Sequence, residues 1–158
     1  MAIHLVRHAN AGSRPDWHQP DDLRPLTDAG LVQASNVADA LGGFDIARVA
    51  SSRYVRCVQT VQPLADKRGL TIEHHPALAE EADFEATWAL LHEAAADTRG
   101  DTVLCSHGNI IPPLLDRLRR RGVDLVADDA TCHKGSIWTV EIDGDGAFAR
   151  AVHTLARA

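Results

Sequence analysis

Short apolar runs alternate along the chain with longer segments in which apolar residues recur every three or four positions. The runs predict buried strands over residues 3–6, 46–50, 71–74 and 102–106. The periodic segments predict helices over residues 27–41, 53–68, 84–96 and 110–121. Start and stop residues support this division, because Thr27 is suited to cap a helix N-terminus and glycines follow three of the helices, at positions 42–43, 69 and 122.

Residues 136–142 and 149–154 predict two further strands, joined by a glycine-containing turn at 143–146. Strands that alternate with helices imply a mostly parallel sheet with helices on both faces. The expected fold class is therefore α/β, a three-layer αβα sandwich. Without a repeat, a low-complexity segment or a linker, residues 1–158 are expected to form a single domain.

Composition excludes several classes of protein. The 158 residues carry a net charge of −6, with 45% hydrophobic and 24% charged residues. A protein that binds nucleic acid or anionic membranes through general electrostatics is normally basic, so neither partner is expected. No apolar stretch is long enough to span a bilayer, and the first residues do not resemble a secretory signal. We expect a cytoplasmic location.

The three cysteines, Cys57, Cys105 and Cys132, are too few and too widely spaced for a disulfide framework or a C-x-x-C metal site. None has an arginine six residues downstream, which a cysteine-dependent phosphatase needs to complete its phosphate loop. The histidines show no metal-ligand spacing either. The sequence therefore predicts neither a metal nor another cofactor.

Basic side chains follow three of the predicted strands. Arg7 and His8 end the first strand, Arg56 begins the helix after the second, and His107 ends the fourth. Ligands of parallel α/β sheets bind beyond the carboxyl ends of the strands, so these four side chains are expected to converge. Such a cluster is costly unless it holds an anion, and arginine forks match phosphate oxygens. The pattern therefore predicts a phosphate site.

Two alternatives follow for this site. A neutral histidine can act as the nucleophile on phosphorus, in which case a carboxylic acid must protonate the leaving oxygen. Glu80 and Glu81 both follow the third strand, and either could supply that proton. The other alternative is a non-catalytic module that only binds a phosphorylated partner and needs no nucleophile.

Four blocks of sequence resemble the histidine phosphatase (phosphoglycerate mutase-like) superfamily, in the order that the family has them. They are Leu5-Val6-Arg7-His8-Ala9, with Ala9 in place of the family's glycine; Arg24-Pro25-Leu26-Thr27 with Gly30 and Gln33-Ala34; Ser51-Ser52 with Arg56 and Gln59-Thr60; and Ser106-His107-Gly108. By this resemblance His8 is the nucleophile that becomes phosphohistidine, and Arg7, Arg56 and His107 clamp the phosphoryl group. His107 thereby takes part in catalysis as well.

The resemblance also suggests two further site residues. Glu80, within Leu78-Ala79-Glu80, resembles the general acid, with Glu81 as its rival, and Asn10 occupies a position that is often polar in relatives and is expected to line the pocket.

Only 26 residues separate Glu80 from His107, where many relatives carry a helical insertion. Its absence makes the chain similar to the short phosphohistidine phosphatase (SixA) branch and implies an open pocket. The implied function is hydrolysis of a phosphomonoester or a protein phosphohistidine, with a sugar or nucleotide phosphatase or a mutase as alternatives within the family. A phosphorylated protein or a small phosphorylated metabolite is the expected partner, and the oligomeric state stays open.

Overall fold

A computed structural model describes residues 1–127 and 132–156. In this part of the chain, strands and helices alternate through most of the sequence. The strands are β1 (Ala2–Arg7), β2 (Ile46–Ser51), β3 (Ile72–His74), β4 (Asp101–Ser106), β5 (Asp124–Val126), β6 (Ser136–Ile142) and β7 (Phe148–Leu155). The helices are α1 (Asp28–Ala40), α2 (Val55–Arg68), α3 (Phe84–Ala95) and α4 (Ile111–Arg120), and short 3-10 turns lie at Arg14–Asp16, Asp21–Leu23 and Pro76–Leu78.

The strands form one sheet in the order β3-β2-β4-β1-β6-β7-β5. Parallel pairing joins β3 to β2, β2 to β4, β4 to β1, and β7 to β5. Strand β6 is antiparallel to both of its neighbours, β1 and β7. The mostly parallel α/β sandwich expected from the sequence is confirmed.

Alternate residues of β1 pack into different cores on the two faces of the sheet, as the period of a strand requires. Ile3 and Leu5 belong to a core that α3 and α4 cover, whereas Val6 belongs to a core that α1 and α2 cover. Because both faces are apolar and covered, the polar residues at the strand ends are left to form the rim of the sheet.

The ends of the helices follow local chemistry. The Thr27 hydroxyl accepts a hydrogen bond from the Gly30 amide at the start of α1, as an N-cap does. Helix α2 ends at Gly69, whose φ of 64° is left-handed and favours glycine. Pro63 lies inside α2 without ending it.

Two details of the sequence analysis need correction. Strand β5 was not predicted, because three residues that are exposed or half-buried give no apolar run; its pairing with β7 stabilises it instead. The apolar stripe that predicts the helix over residues 27–41 begins at Leu31, but Leu31 is 48% exposed, since the buried face of α1 passes through Ala34, Val37 and Ala38.

Between β3 and β4 the chain forms only a 3-10 turn and α3, which packs against the sheet and α4. No helical insertion is present in this segment, so the carboxyl ends of the strands are left without the extra layer that such an insertion would form. Among the described residues, no helix is long and apolar enough to cross a membrane.

Candidate active site

The carboxyl ends of β1, β2 and β4 lie side by side, since these strands are neighbours in the sheet. The His8 amide donates to the carbonyl oxygen of Ser106 at 3.0 Å, and the Ser52 amide donates to that of Cys105 at the same distance. These bonds continue the parallel pairing beyond the strands and fix the three segments that carry the predicted phosphate ligands.

A cavity of about 350 Å³ opens at this edge of the sheet. It contains all four basic residues predicted from the strand ends, together with Glu80. The residues that line it are Arg7, His8, Gly12, Arg14, Arg24, Arg56, Glu80, His107, Gly108, Asn109 and Lys134. The sequence pattern and the fold therefore lead to the same place.

His8 is held in one orientation by its backbone neighbour. Its Nδ1 lies 2.8 Å from the carbonyl oxygen of Ala9, so in the neutral ring Nδ1 carries the proton and donates it to that oxygen. Nε2 is then left with a lone pair. Burial lowers the pKa of His8 to about 3, and the positive charges of Arg56 and Arg7 add to that effect. The ring is therefore neutral, as a nucleophile must be.

His107 lies close to His8, with ring centroids 5.5 Å apart. Its Nε2 is 2.9 Å from the Ser52 hydroxyl, whose oxygen accepts a hydrogen bond from the Tyr54 amide. When the Ser52 hydroxyl donates to Nε2, the proton of the neutral ring lies on Nδ1. That Nδ1 is buried and has no hydrogen-bond partner in the described structure, so in this tautomer it is a donor without an acceptor.

The guanidinium of Arg7 rests against Gly108. A Cβ atom built on Gly108 would lie 2.6 Å from Arg7 Cζ and 2.8 Å from Nε and Nη2, closer than atoms in contact can approach. Arg7 Nη1 donates to the carbonyl oxygen of Cys132 at 2.6 Å, and the buried Nε has no partner in the described structure. The glycine after His107 thus makes room for the Arg7 guanidinium, one fork of the predicted phosphate clamp.

Arg56 is 1% exposed and reaches the cavity from the first turn of α2. Its Nη1 donates to the carbonyl oxygen of Asp21, and its Nη2 donates to carboxylate oxygens of Asp21 at 3.0 Å and Glu80 at 2.9 Å. Buried guanidinium groups are stable only when paired in this way. An anion that enters the cavity can replace Glu80 on Nη2.

The two candidate acids differ in position. Glu80 lines the cavity and bridges Arg56 to Arg14, whose Nη2 is 2.7 Å from Glu80 Oε1. Asn109 Nδ2 fixes the backbone by donating to the Glu80 carbonyl oxygen. Glu81 does not line this cavity, and its carboxylate binds Arg53 and the Tyr54 hydroxyl at the exposed surface.

Asn10 is not placed on the cavity wall, contrary to expectation. Its side-chain oxygen accepts from the Gly12 amide and closes a local turn, and its carbonyl oxygen accepts from the Thr27 amide at the start of α1. Gly30 makes this contact possible, because a Cβ there would lie 2.0 Å from that carbonyl oxygen. Asn10 therefore shapes the loop rather than the pocket.

Three cations of the cavity wall were missed as site residues: Arg14, Arg24 and Lys134. Arg24 stands in one of the resembling blocks, but the block alone gave it no role. Lys134 precedes β6, and since β6 runs antiparallel to β1, the start of β6 lies beside the end of β1. Antiparallel pairing of the final hairpin with β1 was the signal that could have placed Lys134 near His8.

No group of three or more histidine, cysteine or acidic side chains suited to a metal ion occurs in residues 1–127 and 132–156. The cavity wall instead combines guanidinium groups, an ammonium group, two imidazoles and one carboxylate. Chemically, this set can bind a phosphoryl group, offer it a neutral imidazole nitrogen and move one proton.

Comparison with known proteins supports this interpretation. An 8-oxo-(d)GTP phosphatase of Mycolicibacterium smegmatis is 34% identical over 146 residues, which is 89% of this chain and 44% of that protein. The chain thus spans less than half the length of this relative.

Solved structures of similar fold include the protein histidine phosphatase SixA in complex with tungstate. It is 23% identical, with a TM-score of 0.74, and the match covers 98% of this chain and 94% of SixA. A SixA-type phosphatase from Agrobacterium tumefaciens has a TM-score of 0.63 at the same identity, over 89% of this chain and 91% of that one. These likenesses show the fold.

The model of the histidine phosphatase superfamily (branch 1) matches residues 3–88, more than half of the chain and the part that carries Arg7, His8, Arg56 and Glu80. With the fold, the converging side chains and the family match in agreement, the chain belongs to the histidine phosphatase superfamily.

Proposed function

We propose that this chain is a cofactor-independent phosphatase that hydrolyses a phosphomonoester or a protein phosphohistidine through a phosphohistidine intermediate on His8. One observation carries the proposal: a neutral His8 with Nε2 free stands in a cavity with two guanidinium groups and an unpartnered imidazole N–H. A module that only binds phosphate has no need of a neutral nucleophile in that position.

In the first step, His8 Nε2 attacks phosphorus in line with the leaving oxygen. The N–P bond forms as the P–O bond breaks, and the leaving oxygen takes a proton from the carboxylic acid of Glu80. Arg7, Arg56 and Nδ1–H of His107 bind the equatorial oxygens, where charge must be stabilised during phosphoryl transfer. The Ala9 carbonyl oxygen stabilises the positive charge that His8 gains, by accepting from Nδ1–H.

In the second step, water attacks phosphorus and the N–P bond breaks, which returns His8 to its neutral form. Glu80, now a carboxylate, accepts a proton from that water. Glu80 is suited to both roles because its carboxylate lies at the cavity wall between Arg14 and Arg56, and phosphoryl binding to Arg56 would free one of its oxygens.

The relatives differ in what their names say they act on: one is a phosphatase of 8-oxo-(d)GTP and the other of protein phosphohistidine. For this chain both classes, a phosphorylated protein and a small phosphorylated metabolite, are retained as candidate substrates. The segment between β3 and β4 adds no helical layer over the cavity, which supports access for substrates of either size.

The test is hydrolysis of p-nitrophenyl phosphate by the wild-type chain, His8→Asn and the control His74→Asn. Asparagine keeps a polar side chain but lacks the nucleophilic imidazole, and His74 is exposed at the end of β3. We expect turnover by the wild type and the control, and loss of more than about 10³-fold in His8→Asn, as for removal of a covalent nucleophile.

Phosphate binding without turnover would favour the non-catalytic module. Turnover that persists in His8→Asn would exclude His8 as the nucleophile.

A further inference from the structure

The cavity wall holds more positive charge than one phosphoryl group requires. Among the described residues, five cations line it: Arg7, Arg14, Arg24, Arg56 and Lys134. Two carboxylates contact this set, Glu80 on the wall and Asp21 behind it. Counted over residues 1–127 and 132–156, and with Glu80 ionised as in its ion pairs, three positive charges are left over, and a phosphoryl dianion accounts for two of them.

Most of these cations already have an assigned partner. Arg14 binds Glu80, and Arg24 and Arg56 both bind Asp21. Partial burial raises the pKa of Asp21, but the neighbouring guanidinium groups lower it by more, so the pKa lies below its ordinary value and Asp21 is ionised. Arg7 and Arg56 serve the reacting phosphoryl group in the mechanism above. Arg24 has no step in the mechanism either, but it is bound to Asp21 and to the carbonyl oxygens of Ala11 and Gly12. Among the described residues, Lys134 is the wall cation with neither a step in the mechanism nor an acidic partner.

The backbone around Lys134 is fixed to the strand end that carries the nucleophile. The amide of Gly135 donates to the carbonyl oxygens of Arg7 and His8, both at 3.1 Å. On the other side, the carbonyl oxygen of Cys132 accepts from Arg7 Nη1 at 2.6 Å. Lys134 is thus held over the same cavity as His8 by contacts on both sides of it.

The surroundings of Lys134 favour an anion. Partial burial lowers the pKa of Lys134, and the nearby charges of Arg7, Arg24 and Arg56 lower it further. Four cations that crowd one cavity repel each other, and a bound phosphoryl group relieves only part of that repulsion. An ammonium group is a compact charge on a flexible stem, suited to bind an anion whose position varies among substrates.

We propose that Lys134 binds a second anionic group, carried by the leaving group of the substrate. The preferred substrates are then phosphomonoesters or phosphoanhydrides in which a phosphate or carboxylate lies next to the scissile phosphoryl group. This inference rests on the proposed function, because it assigns Lys134 a role in choosing substrates for the same His8 chemistry.

Two matched pairs of substrates test it, in buffer without added divalent cations, which would neutralise the second group. ADP and AMP differ in whether the leaving group carries a phosphate, and O-phosphoserine and O-phosphoethanolamine differ in a carboxylate. Each is measured with the wild type, Lys134→Met and the control Lys67→Met, which removes the same charge from an exposed site on α2. For each substrate, the kcat/KM of the variant is divided by that of the wild type. Comparing these quotients within a pair cancels the difference in intrinsic reactivity between its two substrates.

We expect Lys134→Met to lower kcat/KM about 10-fold more for ADP or O-phosphoserine than for its partner, with no such change in Lys67→Met. A selective loss on ADP identifies phosphate as the second group, and one on O-phosphoserine identifies carboxylate. Equal losses on all four substrates, or the same pattern in Lys134→Met and Lys67→Met, would overturn the inference. The proposed function would still stand in that case, provided that turnover depends on His8. If no phosphate ester is hydrolysed at all, the proposed function itself fails.

Discussion

The guanidinium of Arg7 lies directly against Gly108 at the end of the sheet, in the space that a side chain at position 108 would need. The contact lies on the residue after His107, so one short segment supplies an imidazole and leaves room for an arginine from the neighbouring strand. The atoms that would clash belong to the movable end of a side chain. The close contact therefore constrains the proposed phosphate site more than it constrains folding.

Gly108→Ala should consequently reduce activity with little loss of stability. Displacement of the Arg7 fork removes paired hydrogen bonds to phosphate, and a misplacement of this size commonly costs about 100-fold in rate. We expect kcat/KM for p-nitrophenyl phosphate to fall by about that factor, while thermal unfolding shifts little. The control is Gly43→Ala, since a Cβ there meets nothing within 4 Å. A large loss of stability with unchanged kcat/KM in the folded fraction would contradict the assignment.

The buried, neutral state of His8 predicts how stability depends on pH. In the unfolded chain His8 takes up a proton near its ordinary pKa of 6.5, whereas in the folded chain its pKa is about 3. Unfolding below pH 6.5 therefore takes up a proton, so His8 lowers stability as the pH falls through that range and has almost no effect above it. Between pH 7 and 5 the loss is about 2 kcal/mol.

Chemical denaturation at pH 7 and pH 5 measures this effect. Wild type should lose about 2 kcal/mol more than His8→Asn over that interval, because the variant keeps every other titrating group, including the buried His4. Equal pH dependence in the two proteins would mean that His8 titrates normally in the folded state and is not held neutral.

The Ser52 hydroxyl is expected to set the tautomer of His107. Ser52→Ala removes the hydroxyl at 2.9 Å from Nε2 and leaves only the weaker contact with Cys57 Sγ at 3.6 Å, so the ring proton is less strongly directed to Nδ1 and the proposed donor to phosphate weakens. We expect about a 10-fold loss in kcat, consistent with the usual range for one hydrogen bond to a group that gains charge. The control Ser51→Ala removes a buried hydroxyl that binds the Ser52 carbonyl oxygen.

Nitrogen-15 shifts of the His107 ring report this tautomer directly. They should indicate Nδ1–H in the wild type and in Ser51→Ala, and a mixture in Ser52→Ala. The same spectrum in all three proteins would rule out a positioning role for Ser52.

Glu80 and Glu81 are adjacent in sequence but face different surroundings, so the pair of variants Glu80→Gln and Glu81→Gln separates their roles. A general acid matters most for a poor leaving group. Glu80→Gln should therefore lower kcat/KM about 100-fold on an alkyl phosphate and only a few-fold on p-nitrophenyl phosphate. Glu81→Gln should change both by less than about 3-fold, as for an exposed ion pair. Similar losses of Glu80→Gln on both substrates would remove Glu80 from the acid role.

Much of the fold follows from the sequence, because buried strands and capped helices leave clear local patterns. The run from Ile3 to Val6 and the cap at Thr27 are of this kind. Strand β5 was missed because its own residues give no strand pattern. It is stabilised by pairing with β7, a strand that lies about 25 residues further along the chain.

The residues of the candidate site also fall into two groups, those that the sequence predicts and those that it does not. His8, Arg7, Arg56 and His107 follow strands directly, so the topology of a parallel sheet brings them to one edge. Lys134 precedes an antiparallel strand, and its place depends on which neighbour that strand pairs with. Local sequence does not specify such a neighbour, which is why Lys134 emerged only from the structure.

Phosphoryl transfer to His8 is the central claim, and trapping the intermediate tests it most directly. Rapid quenching of Glu80→Gln at high pH during turnover of p-nitrophenyl phosphate, followed by peptide mass spectrometry, should find one acid-labile phosphoryl group on the imidazole of His8. The intermediate should be absent from His8→Asn. A phosphoryl group on another residue, or steady turnover with none on the protein, would contradict the account.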